Sequence, residues 1–84
     1  MEKCEAIFTS RLRLRMMQQR ISQTQLAKEI SIEPAMITRY LHGKCMPNMR
    51  VLWRICRVLD CSADYLLGNS EYCFTADRLI NSMK

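Results

Sequence analysis

Three side chains in the segment 33–42 have the chemistry needed to contact the edges of DNA base pairs. They are Ala35, Thr38 and Arg39, which helical spacing places on one side of a helix, away from the apolar Ile37. An arginine guanidinium can donate two parallel hydrogen bonds to guanine, and an alanine or threonine methyl group can contact the methyl group of thymine. The pattern therefore predicts a helix that enters the major groove of DNA.

Two short helices joined by a tight turn must position these side chains. The first helix begins at Ser22, which forms a Ser-x-x-Gln capping pattern with Gln25. Its predicted buried stripe consists of Leu26, Ala27 and Ile30. The small side chain of Ala27 allows the next helix to cross closely.

The second helix of the pair is bounded by residues with strong end preferences. Pro34 is favoured at the first helical position, where no backbone N–H is needed, and Gly43 is suited to the left-handed conformation that ends a helix. The side chains expected to face the core are Ile37, Tyr40 and Leu41. The pattern thus predicts a recognition helix over about 33–42 within a helix pair over about 22–42.

Three further helices complete the predicted fold, and no alternating strand pattern of useful length is present. One helix should run from near Cys4 to Gln19, and two more should start after the N-caps Asn48 and Ser62. The apolar face of the fourth helix is predicted to comprise Met49, Leu52, Ile55, Cys56 and Leu59. The fold class is therefore all-α with five helices, and Thr75 could begin a short sixth.

The 84-residue length indicates one domain, which we expect to span residues 1–68, followed by a tail over 69–84. The tail carries an apolar stripe of Leu79, Ile80 and Met83. Two interpretations of this stripe stand: it folds back onto its own domain, or it pairs with the same stripe of a second subunit. The second interpretation predicts a homodimer.

Basic charge is concentrated in the first two thirds of the chain. Residues 6–58 contain ten Lys or Arg and two Glu, whereas residues 59–84 contain four acidic and two basic residues. A basic body favours a polyanionic partner, with nucleic acid first and an anionic membrane second, although a solvated basic face is the alternative. No apolar run approaches the ~18 residues of a membrane span. No signal sequence precedes the domain, so a cytoplasmic location is expected.

The cysteines do not suggest a disulfide framework or a metal centre. They number five, an odd count, and they form no C-x-x-C pair: Cys4, Cys45, Cys56, Cys61 and Cys73. The chain has a single histidine, His42, without a nucleophile–base–orienter set, so an enzyme is not expected. We predict no cofactor and no metal, while a thiol-based redox or metal sensor stands as a separate hypothesis.

A set of residues from Ile21 to Leu67 carries a family resemblance. The matching residues are Ser22, Gln23, Leu26, Ala27, Ile37, Arg39, Tyr40, Gly43, Lys44, Pro47, Leu52, Ile55, Leu59, Ser62, Leu66 and Leu67, extended into the first helix by Phe8, Arg11 and Leu12. With these residues the chain resembles the lambda-repressor/Cro-type helix-turn-helix domains of bacterial and phage regulators. The resemblance implies a five-helix domain that binds double-stranded DNA, commonly as a dimer.

The resemblance also implies roles for individual residues. Base-reading positions correspond to Pro34, Ala35, Thr38 and Arg39. Gln23 corresponds to a phosphate ligand, in agreement with the affinity of a helix N-terminus for anions. Further candidates for phosphate contacts lie near the loop and the helix ends: Arg11, His42, Lys44 and Asn48. For Arg39 the alternative is a surface ion pair with Glu29 or Glu33, and for His42 it is a solvated helix end.

The chain departs from the family pattern at several positions. Where the family usually has glycine, this chain has Arg20, Ser31 and Asp60. If these residues keep a left-handed backbone, each costs roughly 1 kcal/mol; otherwise the turns differ. Arg15 stands where the first helix often has an apolar residue. Pro34 and Ala35 cannot donate hydrogen bonds from their side chains, so DNA shape is expected to supply part of the specificity.

The leading functional hypothesis is a sequence-specific DNA-binding transcriptional regulator, most simply a repressor that occupies an operator. The alternative, from a different class, is a protein-interaction module or an antitoxin-like protein whose basic helical face binds a regulatory protein partner. Weak DNA binding without sequence preference would distinguish the second hypothesis from the first.

Overall fold

A computed structural model describes residues 4–73, and five α-helices account for most of them. The helices are α1 (Cys4–Gln19), α2 (Gln23–Ile30), α3 (Pro34–Leu41), α4 (Met49–Leu59) and α5 (Ala63–Leu67). The predicted all-α, five-helix fold is confirmed. The tail stripe and the sixth helix predicted from Thr75 lie outside the described residues. No helix within residues 4–73 is long and apolar enough to cross a membrane.

The core lies where α1 meets α3, α4 and α5, and where α2 packs on α3 and α4. Its fully buried large side chains are Phe8, Leu12, Leu26, Ile30, Ile37, Ile55, Leu59 and Leu66. Burial of a side chain of this size stabilises the fold by roughly 1.5–3 kcal/mol. The predicted inner faces of α2 and α3 are therefore confirmed, including Tyr40 and Leu41 at 4% exposure.

The prediction that Met49 belongs to the buried face of α4 is wrong. Its side chain is 88% exposed, whereas Ile55 and Leu59 on the same helix are fully buried. Met49 lies two helical turns before Cys56, on a line that is only half-buried even at Cys56. The residues on this line lie at the border of the core, and the first turn of α4, which contains Met49, is open to solvent.

Three helix starts have the predicted N-caps, but the reciprocal bond from the Ser22 N–H to the Gln25 side chain is not observed among residues 4–73. The side-chain oxygens of Ser22, Asn48 and Ser62 each accept a hydrogen bond from the backbone N–H three residues later, at 3.1, 2.9 and 3.1 Å. At α3 the preceding residue, Glu33, makes no such side-chain bond, and proline occupies the first helical position instead. The start of α2, where Gln23 lies, is thus held by a specific cap.

All five helices end with the same backbone motif. Each is followed by a residue with φ between +56° and +84°, namely Arg20, Ser31, Gly43, Asp60 and Gly68. In each case the next N–H returns to a carbonyl five residues earlier, at 2.8 to 3.0 Å, which is the signature of a Schellman motif. Arg20, Ser31 and Asp60 therefore keep the left-handed backbone of the family glycines at a cost of roughly 1 kcal/mol each. The α2–α3 turn retains its geometry although it lacks glycine.

Four arginines place their guanidinium groups on the carbonyl ends of helices, where a positive charge opposes the helix dipole. Arg11 bonds the Tyr65 carbonyl of α5, Arg13 the Leu41 carbonyl of α3, Arg15 the Leu59 carbonyl of α4, and Arg54 the Ile30 carbonyl of α2. Arg15 is the most buried of them, and it also donates to the Asp60 carbonyl at 2.9 Å. Part of the basic charge therefore serves the fold.

The chain beyond α5 turns back onto the domain as far as the structure describes it. The Ser70 carbonyl accepts a hydrogen bond from Arg11 at 2.7 Å, and the Cys73 carbonyl accepts one from the Ser62 N–H at 2.7 Å. Glu71 forms an ion pair with Arg11 at 3.3 Å. The first residues of the predicted tail thus contribute to the packing of α1 and α5.

Candidate nucleic-acid interface

The exposed side of α3 carries every side chain predicted to read bases. Pro34, Ala35, Thr38 and Arg39 are all exposed, while the opposite side of the helix is buried. Because α3 packs on α1 and α2 through that buried side, its outer side is presented to solvent as one surface. The structure therefore brings the four base-reading candidates together.

A hydrogen bond links this surface to the start of α2. The Thr38 hydroxyl donates to the side-chain oxygen of Gln23 at 2.8 Å, and it also lies 3.4 Å from the Pro34 carbonyl. A glutamine that uses its carbonyl oxygen as acceptor keeps the two N–H donors of its amide nitrogen for another partner. Gln23 is the first residue of α2 and is exposed, so those donors lie beside the positive end of the helix dipole.

Arg39 extends from the same surface. Among residues 4–73 the one ion pair joins Arg11 to Glu71, and the alternative pairing of Arg39 with Glu29 or Glu33 is not observed there. The carbonyl of Arg39 accepts the Lys44 N–H at 2.9 Å, which holds the chain after α3 close to the end of the helix. The guanidinium of Arg39 is thus carried by a helix whose C-terminal end is held by this bond.

The segment after α3 contains three of the predicted phosphate ligands. His42 and Lys44 have exposed side chains next to the end of α3. Asn48 is exposed as well, and its side-chain oxygen is engaged as the cap of α4 at 2.9 Å from the Val51 nitrogen. Any phosphate contact of Asn48 would therefore come from its amide nitrogen.

A shallow depression between the end of α1 and the start of α2 adds residues that the sequence patterns did not identify. It has a volume of about 430 Å³, and its lining includes Arg13, Arg20, Ser22 and Gln23. Both arginines are exposed, so two positive charges lie close to the N-terminus of α2. The signal in the sequence was the position of Arg20, two residues before the cap of α2, in place of a family glycine.

Arg11 has a different environment from the other predicted phosphate ligands. Its guanidinium bonds the carbonyls of Tyr65 and Ser70, pairs with Glu71 and lies 4.4 Å from the centre of the Tyr65 ring. Only 18% of its side chain is exposed. These contacts give Arg11 a role in joining α1 to α5, and we do not include it in the interface proposed below.

The described part of the chain offers no metal-binding cluster. Among residues 4–73, no three His, Cys, Asp or Glu side chains are grouped so that they could hold a metal ion. The only histidine of the chain, His42, lies at the end of α3 among the predicted DNA ligands.

Comparison with protein families agrees with the geometry of α2 and α3. A helix-turn-helix family model, HTH_3, matches residues 12–66, from the middle of α1 into α5. Neither a curated protein nor a solved structure matches the chain significantly. The family match covers more than half of the chain and includes the whole helix pair. The chain therefore belongs to the XRE/lambda-repressor-type helix-turn-helix family of DNA-binding transcription regulators.

Proposed function

We propose that this protein is a sequence-specific repressor that inserts α3 into the major groove of an operator and thereby blocks RNA polymerase. The observation that carries the proposal is the continuous exposed surface from the start of α2 to the outer side of α3, joined by the Thr38–Gln23 hydrogen bond. The opposite, buried side of α3 packs against the core, so the helix presents these side chains in a fixed orientation.

Base reading is assigned to four residues of α3. Arg39 donates two hydrogen bonds to O6 and N7 of a guanine, which is the commonest specific contact of arginine in the major groove. The Ala35 side chain contacts a thymine methyl group. The Thr38 hydroxyl is already bonded to Gln23, so Thr38 contacts thymine through its methyl group. Pro34 supplies apolar contact alone, so sequence-dependent DNA shape contributes to specificity.

Phosphate contacts are assigned to both ends of this surface. At the start of α2 they come from the Gln23 amide group and from Arg20, which line the same depression. Beyond the end of α3 they come from the exposed segment that contains His42, Lys44 and Asn48. Phosphate ligands at both ends of the surface contact the two DNA strands that border the major groove, and these contacts position α3 in the groove.

We also propose that the protein binds its operator as a homodimer. A two-fold dimer places two copies of α3 in successive major grooves, and its operator is an inverted repeat with half-sites about one helical turn apart. The tail stripe at Leu79, Ile80 and Met83 is the proposed contribution of residues 69–84 to the dimer.

A selection from a random duplex DNA library tests the function directly. The protein is incubated with the library at about physiological salt, and the retained DNA is sequenced. Enrichment of an inverted repeat supports both the regulator and the dimer, whereas enrichment of a single half-site supports a monomeric reader. Retention without enrichment, lost as salt rises, would reject sequence-specific binding and favour a protein-interaction module.

Replacing Arg20 by glycine should change stability and DNA affinity in opposite directions. Arg20 has φ +56°, a conformation that glycine adopts without strain, so the free energy of unfolding should rise by about 1 kcal/mol. The same change removes a cation from the depression beside Gln23. DNA affinity should therefore fall for all sequences, with the slope of log K against log salt reduced by about 1.

Ser31→Gly is the matched control for Arg20→Gly. Ser31 has φ +59°, so the control should give the same gain in thermal stability, but it removes no charge. Its salt slope should equal that of the unaltered protein. Equal salt slopes for both variants would mean that Arg20 does not contact phosphate.

A further inference from the structure

Two cysteines occupy paired positions of the motif that ends α4. In a Schellman motif the side chain just beyond the left-handed residue contacts the side chain five positions earlier. The corresponding pairs are Met16 with Ile21 at the end of α1 and Ala27 with Ile32 at the end of α2. Met16 and Ala27 are core residues, and Ile21 and Ile32 are partly buried against the core. At the end of α4 the equivalent residues are Cys56 and Cys61.

The backbone holds these two cysteines close to each other. The Cys61 N–H bonds the Cys56 carbonyl at 3.0 Å, and Asp60 between them has the left-handed φ of +56°. The two thiols are close enough for each to shift the pKa of the other. A disulfide requires Cα atoms roughly 4.4–6.8 Å apart, and the bond from the Cys61 N–H to the Cys56 carbonyl keeps the two Cα atoms close to that range.

Both thiols can be reached from solvent. Cys56 and Cys61 are half-buried, and both line an open groove of about 700 Å³ between α4 and the start of α5. The exposed Met49 and Trp53 form part of the same groove. Both cysteines therefore border a groove, in contrast to thiols enclosed in a core.

The proximity of the two thiols gives them different acidities. Sharing a proton with Cys61 lowers the pKa of Cys56 below its usual range, while burial acts in the opposite direction. The pKa of Cys61 is raised because it retains the shared proton and because it is buried. Cys56 is therefore the sulfur that becomes a thiolate first, and the thiolate is the nucleophile in disulfide exchange.

We propose that Cys56 and Cys61 form a redox-active dithiol that small disulfides, such as oxidised glutathione, convert into an intrachain disulfide. The Cys56 thiolate attacks one sulfur of the small disulfide, forming a mixed disulfide and releasing one thiolate. Cys61 then loses its proton and attacks the Cys56 sulfur, which releases the second thiolate. The dithiol is oxidised by two electrons, and the small disulfide is reduced to two thiols. This inference does not depend on the proposed contacts with DNA.

Cys73 is the competing partner that the experiment must distinguish. Its sulfur lies 4.0 Å from the Asp60 carbonyl, to which it donates, and its own carbonyl is bonded to the Ser62 N–H. It therefore lies near the same turn. Unlike Cys61, it is not placed against Cys56 by the Schellman motif.

Peptide mapping tests the proposal on the full chain. The protein is treated with oxidised glutathione, free thiols are alkylated, and trypsin is added without reduction. Trypsin cleaves after Arg54, Arg57 and Arg78, which separates Cys56 from Cys61 and Cys73. We expect the peptide 55–57 to be recovered joined to the peptide 58–78, and the pair to separate on reduction. On a non-reducing denaturing gel, the protein should migrate as a single chain, without an interchain disulfide.

Two variants identify the partner of Cys56. Cys73→Ser should still yield the joined peptides, whereas Cys61→Ser should stop at a mixed disulfide of glutathione on Cys56. Circular dichroism before oxidation checks that both variants are folded. The proposal is overturned if the joined peptides disappear in Cys73→Ser. It is equally overturned if Cys56 and Cys61 of the unaltered protein each carry a separate glutathione.

Discussion

Replacing Arg15 by leucine should lower the free energy of unfolding by about 2–4 kcal/mol. The Arg15 side chain is 9% exposed, and its guanidinium donates to the carbonyls of Leu59 and Asp60 at 2.8 and 2.9 Å. A third donor meets the Gln18 side chain at 3.0 Å. Leucine has an apolar side chain of the kind that the family often has at this position. It would nevertheless leave the end of α4 without its cationic partner.

Urea or thermal unfolding followed by circular dichroism measures this effect. For a domain of this size, each kcal/mol corresponds to a shift in Tm of roughly 4–8 °C. The matched control is Arg13→Leu, which lies on the same helix and removes one bond to the Leu41 carbonyl from an exposed arginine. That control should cost less than about 1 kcal/mol, because solvent can replace the lost partner. Equal losses in both variants would show that burial of the Arg15 contact adds nothing.

The different roles of the arginines explain why charge counting predicted a polyanion partner but not all of its ligands. The first helix has an arginine at every second position from Arg11 to Arg15. From the sequence alone, all three are expected to be exposed cations. The structure separates them by what surrounds each guanidinium. Arg15 and Arg11 are turned toward carbonyls at helix ends, whereas Arg13 also lines the depression beside α2. Which helix end lies within reach depends on tertiary packing.

The helix bounds were largely predictable, because their signals are local. Ser22, Asn48 and Ser62 accept hydrogen bonds from backbone N–H groups three residues away, so the short sequence patterns around them contain the required information. The buried stripes of α2 and α3 follow in the same way from helical periodicity. The exposure of Met49 could not be read from its apolar character, since it depends on which neighbouring helix reaches the first turn of α4.

The contact between Thr38 and Gln23 joins residues of two helices and was not predicted. Both residues were identified separately, one as a base reader and the other as a phosphate ligand. Their hydrogen bond depends on the angle at which α2 and α3 cross, and that angle depends on the left-handed Ser31 in the turn. Serine adopts this conformation less readily than the glycine that is usual in the family. Packing of the helix pair must therefore hold the turn in its shape. Local sequence preference alone does not account for it.

Replacing Arg39 by alanine should weaken binding to the selected operator by about 1–3 kcal/mol, or roughly 5- to 150-fold. Arg39 is exposed on the outer side of α3, one residue after Thr38, and we assign it the bidentate contact with guanine. Loss of that contact removes discrimination at one base pair. The variant should therefore bind the operator and the operator with that base pair changed almost equally well. Fluorescence anisotropy with both duplexes at fixed salt measures the two affinities.

Arg57→Ala controls for the loss of one positive charge. Arg57 is an exposed arginine of α4 whose guanidinium lies 5.1 Å from the centre of the Trp53 ring, and it is not part of the α2–α3 surface. Its removal should leave discrimination between the two duplexes unchanged. If Arg39→Ala instead weakened binding to every duplex by the same factor, Arg39 would be a phosphate ligand. Base reading would then have to come from Ala35, Thr38 and the shape of the DNA, because no other charged side chain is assigned to the bases.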